Sequence, residues 1–180
     1  MSDSVEVNQP YSDSGFDQEK FKQVLHYIIS KTESFPNVGK KVIYKLLYFI
    51  DFNYYELKEE KLTGEVYSKL EHGPAPRHFS ASVDELKNDG LIQERNVPYH
   101  KYTQIKYNSL ENPDLSLLNA NELRHLDETL CRYASMNGSQ IEALSHNDIT
   151  WNATEINENL NYELVFYRSS DMSVREYCNE

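Results

Sequence analysis

Lys40–Leu57, KKVIYKLLYFIDFNYYEL, is apolar almost all the way round when wound as a helix. Ile43, Leu46, Leu47, Ile50, Tyr54 and Leu57 form a continuous stripe, and aromatic residues fill much of the remaining surface. A helix with no polar face cannot lie on the outside of a soluble domain, so this one is expected at its centre. The chain has 180 residues, a length that suits one compact domain packed around such a helix.

On the N-terminal side, Phe21, Val24, Leu25, Ile28 and Ile29 repeat at helical spacing from Asp17, and Pro36 with Asn37 stops the pattern. Residues 1–16 carry Ser, Asp, Asn, Gln and Pro with few large apolar groups, and are expected to be a disordered acidic segment. On the C-terminal side, KLTGEVYSKLEHGPAP is broken by Gly64, Gly73, Pro74 and Pro76 and reads as short irregular or extended chain. A third helix follows, with Phe79, Val83 and Leu86 on its apolar face and Gly90 where a left-handed C′ residue is wanted. LIQERNVPYHKYTQIKYNS then reads as a β-hairpin turning at Asn96-Val97-Pro98. Asn119 with Glu122 at N3, and Leu118 with Leu123, mark the next helix start, whose stripe Leu123, Leu126, Leu130, Tyr133 ends at Asn137-Gly138. Ser139 to Glu142 reads as a capping box opening a short helix through Leu144, followed by SHNDITW, the apolar YELVFY and a polar tail from 169. The fold class predicted is mainly α (α+β): a compact helical domain with a small β-hairpin or sheet element.

Bulk composition narrows the functions. Eighteen basic residues against 29 acidic ones, a net charge of −11, oppose the basic footprint that phosphate backbones require, so nucleic acid binding is disfavoured. The alternative of a winged helix, with Arg77–Asp89 as its recognition helix, would present Asp84, Glu85 and Asp89 against Arg77 and Lys87. An acidic surface instead favours encounter with basic proteins. No apolar run approaches the roughly 18 residues of a membrane span, so a cytoplasmic protein with no membrane partner is expected. The fourteen tyrosines suit either an aromatic core or an interface. Cys131 and Cys178 are too few for a disulfide framework or a four-ligand metal site and read as free thiols, Cys131 as a small buried hydrophobe.

Catalysis finds no constellation. His72 and His78 are separated by Pro74 and Pro76, His100, His125 and His146 are scattered, and neither a phosphate loop nor a nucleophile elbow is present. No catalytic, cofactor-binding or metal-binding residue is therefore assigned, and no cofactor is expected. Two features stand out. Asp51 lies inside LLYFIDFNYY, where a carboxylate is costly unless it faces solvent, bonds a nearby N–H, or accepts from His72 and so pins the EHGP loop to the central helix. Trp151, the only tryptophan, suits a core residue or an interface anchor, with His146 beside it as a capping or turn residue. The stretch KLEHGPAPRHF reads chiefly as helix initiation, with Gly73 turning and Pro74 and Pro76 stiffening the chain.

KLLYFIDFNYY, LTGEVYSKLEHGPAP, DELKNDGLI and SHNDITW, in this order, resemble the SocA-like or Panacea antitoxin domain over residues 17–168. The resemblance implies a mainly helical domain that serves as the antitoxin of a toxin–antitoxin pair by binding its toxin directly. Toxins of unrelated classes are partnered by the family, and one member delivers its toxin to a protease. The partner implied is a cognate toxin protein, expected to be basic, and an oligomeric complex is admitted. Many relatives carry an N-terminal DNA-binding module; only about 16 polar residues precede the domain here, so autoregulation by DNA binding is not expected. The competing readings are a proteolytic adapter and a phage-borne effector that binds a host protein. Candidates for the partner-binding surface are the EHGP loop with His72, Gly73 and Pro74, the tyrosines Tyr54 and Tyr55 expected to be exposed at the end of the second helix, and Asp51 and Trp151.

Overall fold

The computed structural model describes residues 15–176. Cys178 and most of the 1–16 segment lie outside the described residues. The architecture is α-dominant: α1 (Gln18–Thr32), α2 (Lys40–Lys58), β1 (Tyr67–Leu70), β2 (Gly73–Pro76), α3 (Phe79–Asn88), β3 (Ile92–Tyr99), β4 (Tyr102–Ser109), α4 (Ala120–Tyr133), α5 (Gly138–His146), the short α6 (Ile149–Asn152) and a 3₁₀ helix, Tyr162–Tyr167. The strands form two separate antiparallel pairs, β1 with β2 and β3 with β4.

α2 is the axis, as its all-round apolar pattern predicts. It touches β2, β4, α1, α4, α5 and the 3₁₀ helix, so nearly every side of it is covered. Leu46, Leu47, Tyr48, Ile50 and Phe52 are essentially inaccessible to water, each contributing roughly 1.5–3 kcal/mol through burial. Aromatic contacts lock its neighbours: Phe49 stacks on Tyr133 of α4 at 4.4 Å, and Phe52 on Tyr162 of the 3₁₀ helix at 4.1 Å. The stripe ends earlier than its spacing implies, because Leu57 is an exposed residue of the last turn. α2 stops where Glu59 takes a left-handed conformation, φ 57°.

Local signals account for the flanking helices. Asp17 accepts the Lys20 N–H at 3.0 Å and starts α1. Asn119 and Glu122 form a reciprocal capping box on α4. The box on α5 lies two residues before its expected place: Asn137 and Gln140 make it, not Ser139 and Glu142. Gly90, at φ 72°, follows α3 as the left-handed residue expected there.

The second hairpin has a different turn from the one Asn96-Val97-Pro98 suggests. Pro98 pairs with Thr103 inside the ladder, and the chain reverses at His100-Lys101, with His100 at φ 52°. The KLTGEVYSKLEHGPAP stretch is also more regular than expected. Tyr67 pairs with Pro76, Ser68 with Ala75, Lys69 with Pro74 and Leu70 with Gly73, so the two prolines belong to a strand and do not initiate α3. Arg77 N–H donates to Val66 O at 2.9 Å; alternation then turns the backbone nitrogens of 75 and 73 towards β1 and those of Pro74 and Pro76 outwards. The far side of β1 is covered by the chain near Glu158, whose carbonyl accepts from Lys69 N at 2.8 Å.

Candidate functional site

The EHGP turn is built on Gly73, whose φ of 115° suits glycine alone. Its missing Cβ also makes room: a Cβ there would sit 2.7 Å from Lys45 Cε and 3.0 Å from Ser145 Oγ. The hairpin thus lies directly on the α2 lysine and on the end of α5. His72, at the turn, places Nδ1 3.0 Å from Glu142 Oε1 of α5.

Glu142 reaches a second imidazole as well, with its Oε1 4.0 Å from His146 Nε2. The His146 ring stacks on Trp151 at 4.0 Å, and the Lys69 ammonium stands 3.8 Å over the Trp151 ring. Burial holds His146 below the ordinary imidazole value, with Glu142 opposing, so the neutral ring is favoured. The result is a continuous ladder, Lys69–Trp151–His146–Glu142–His72, that joins the EHGP and SHNDITW segments. His146 Nε2 and Trp151 Nε1 are buried without a hydrogen-bond partner, a destabilising feature within the ladder.

Asp51 is buried rather than solvent-facing, and of its suggested partners it takes a backbone N–H and not His72. Its carboxylate accepts from Thr63 N–H at 3.2 Å, from Thr63 Oγ1–H at 2.9 Å and from the Tyr67 hydroxyl at 2.5 Å, not from His72. It therefore fixes the entry into β1, and the turn is fixed separately through Glu142. Burial pushes Asp51 up to about 7, the three donated hydrogen bonds pulling the other way. Glu65, also buried, accepts from His78 N–H at 2.9 Å and lies 2.6 Å from His78 Nδ1, holding the start of α3. Phe16 stacks on the His78 ring at 3.9 Å.

The tyrosine candidates lie elsewhere. Tyr54 is only 6% exposed, with its hydroxyl 3.2 Å from Glu60, so it is not the surface residue expected. Tyr55 is half-buried, bonds Glu163 and packs on Tyr162 and Phe166. It stands ten residues beyond Lys45, about 15 Å along α2. The structure brings His72, Gly73 and Pro74 of the hairpin together with Trp151, sets Asp51 apart from them on Thr63 and Tyr67, and leaves Tyr54 and Tyr55 elsewhere. Cys131 is exposed, contrary to its reading as a buried hydrophobe. The nearby His125 has its Nε2 2.8 Å from the Ile50 carbonyl.

Sequence reasoning missed the polar support behind the ladder. Arg168, following the 3₁₀ helix, donates to Asp148 at 2.6 and 3.0 Å, to Glu56 at 3.0 Å and to Asn53 at 2.8 Å, all buried. Tyr48 donates to Asp148 at 2.6 Å. Asp148 lies within SHNDITW, so this network fixes α6 and Trp151 against α2. The only sequence signal was an arginine beyond YELVFY, with nothing to name partners 20 and 112 residues away.

This is a rigid aromatic and charged face on a helical scaffold. Among the described residues no three His, Cys, Asp or Glu side chains gather as a metal ion would need, and no helix is long and apolar enough to cross a membrane. The family described as antitoxin SocA-like, Panacea domain, matches residues 43–152, which contain the whole ladder. The chain belongs to this family of antitoxin-like domains. No curated protein and no solved structure matches the chain.

Proposed function

We propose that the chain is the antitoxin of a toxin–antitoxin system and neutralises a cognate toxin by direct protein–protein binding, without catalysis of its own. The observation that carries this reading is the convergence of two segments about 70 residues apart on one supported face, the ladder from Lys69 to His72. Fixed aromatic and charged groups on a rigid scaffold are the kind of surface on which binding energy concentrates. The surrounding charge of −11 favours fast encounter with a basic toxin in the cytoplasm, while the local face supplies specificity. On this reading residues 17–168 form the toxin-binding domain, flanked by a polar N-terminal segment and a tail at 169–180.

Co-expression with the product of the neighbouring reading frame tests it. The expected result is restored growth and recovery of both chains as one complex, also in a host lacking its major proteases. Failure of both rescue and co-purification would remove the reading. Rescue that depends on a protease would convert it to delivery of the toxin for degradation.

A further inference from the structure

Among the described residues Lys45, Lys69 and Lys106 are buried, and they are treated differently. Lys106 of β4 donates to Phe35 O at 2.7 Å and Val38 O at 2.8 Å, and Lys69 stands over the Trp151 ring. Lys45 is 4% exposed, yet among the described residues its ammonium has neither a hydrogen bond nor an ion pair. A buried cation is costly unless it is paired, and among the described residues no carboxylate lies within ion-pair distance of it. Glu142, the carboxylate that most favours its charged form, is engaged with His72.

The Lys45 head group is not sealed in. It forms part of the floor of a groove of about 390 Å³ between the first turns of α2 and the β1–β2 turn. The Tyr44 ring, Leu70 and Ala75 supply apolar walls, and Leu70 is 43% exposed, a large apolar side chain left uncovered at the rim. Lys40, Lys41, Glu71, His72 and Gly73 complete the lining, and the first turn of α2 itself carries two cations, no acid and no side-chain cap. Gly73 is what keeps the Lys45 end in place: a Cβ there would come 2.7 Å from Cε and 3.2 Å from Nζ.

We propose that this groove receives an aspartate or glutamate side chain from an otherwise apolar segment of the protein partner, and that its carboxylate pairs with Lys45 above Gly73. The inference rests on the reading of the chain as a protein-binding antitoxin and names the chemistry by which it binds. An apolar-walled groove lined by three lysines, against the single carboxylate of Glu71, matches an acidic side chain flanked by apolar neighbours. The apolar Tyr44, Leu70 and Ala75 walls favour a carboxylate carried on an apolar segment over a free phosphate, which they would not help to solvate.

The charged and titratable groups around Lys45 are Lys40, Lys41 and Tyr44 on its own helix, Glu71 and His72 on the hairpin, and Glu142 and His146 on α5. Burial holds Lys45 down to about 8, with Glu142 opposing and Lys41 reinforcing. An arriving carboxylate favours the protonated form, so binding above that pH takes up a proton and weakens as pH rises.

The test uses the full chain and the purified product of the neighbouring reading frame, titrated calorimetrically. Lys45→Met, close in volume, is expected to weaken binding on the order of tenfold or more while melting no lower than wild type. Wild-type affinity is expected to fall by about tenfold per pH unit above about 8, and that of Lys45→Met to stay level over the same range. Carbodiimide coupling of the complex is expected to join Lys45, Lys40 or Lys41 to an acidic residue of the partner. Binding by Lys45→Met within about twofold of wild type, or couplings that avoid these lysines, overturns the inference and leaves the antitoxin reading standing. Inorganic phosphate that binds the free chain through Lys45 and displaces the partner would make the groove a free-anion site and overturn it too. If the wild-type chain does not bind that product at all, the antitoxin reading fails and the inference falls with it.

Discussion

Replacing Lys45 with methionine should stabilise the free protein. Lys45 ionises at about 8 in the folded chain against an ordinary value of 10.5. At about 1.36 kcal/mol per pH unit, keeping the ammonium buried costs about 3 kcal/mol at neutral pH. Methionine keeps the straight apolar stem and removes the charge, so most of that cost is recovered. For a chain of this size it corresponds to a rise in Tm of about 5–10 °C. The pH dependence has a definite sign. Below about 8 the lysine is protonated in both folded and unfolded chains, and the full cost is present. Between that pH and 10.5 the folded chain has released a proton that the unfolded chain still holds, so wild-type stability rises with pH relative to the variant. Urea unfolding of both proteins at pH 7 and pH 10 measures this: the methionine advantage should be largest at pH 7 and reduced to about a quarter of that at pH 10. A variant no more stable than wild type at pH 7, or an advantage that does not change with pH, would refute the account of Lys45 as an unpaired buried charge.

Asp51 should show the opposite slope: its folded value of about 7 lies above the ordinary 3.8, so wild type loses stability between those values as pH rises. Asp51→Asn should flatten that loss, and the gap between the two proteins in unfolding free energy from urea titrations should change by roughly 2–4 kcal/mol between pH 4 and pH 7.5. Arg168→Met should cost about 3–5 kcal/mol, because it leaves Asp148 and Glu56 buried without their cation, and a melting curve reads it directly. Asn119→Ala should lower stability by about 1 kcal/mol, or about 2–4 °C in Tm, by removing one half of the α4 capping box.

The elements were legible where the signal is local. The apolar circumference of Lys40–Leu57, the Asn119 cap and the left-handed Gly90 each act within a few residues, and each appears where it was read. Turn geometry was less so. Gly73 with two prolines suggests a helix start as readily as a strand, and only pairing with Tyr67–Leu70 separates them. The candidate site was partly legible: EHGP and SHNDITW stood out as segments, but Glu142 and Lys69, which connect them, look like ordinary surface charges in sequence. Lys45 was invisible for the same reason. A lysine between Tyr44 and Leu46 reads as the polar gap of a helix, and its burial arises from a glycine 28 residues later. Asp51 was recognised as anomalous, but the choice between Thr63, Tyr67 and His72 depends on how the chain returns after α2, which no spacing reveals.

Pro74 and Pro76 point their nitrogens away from β1, so the edge of β2 that is not paired with β1 has no N–H at those positions to offer a visiting strand. Another chain cannot extend this hairpin by continuing its ladder, and two copies of the protein cannot zip together along it. Contact on that side must pass through side chains, which change one at a time without disturbing the backbone beneath. A recognition surface of this kind can be re-addressed by point substitution at Lys40, Lys41, Leu70 or His72 while Gly73 and the prolines keep the frame, so the scaffold and its choice of partner are free to evolve separately.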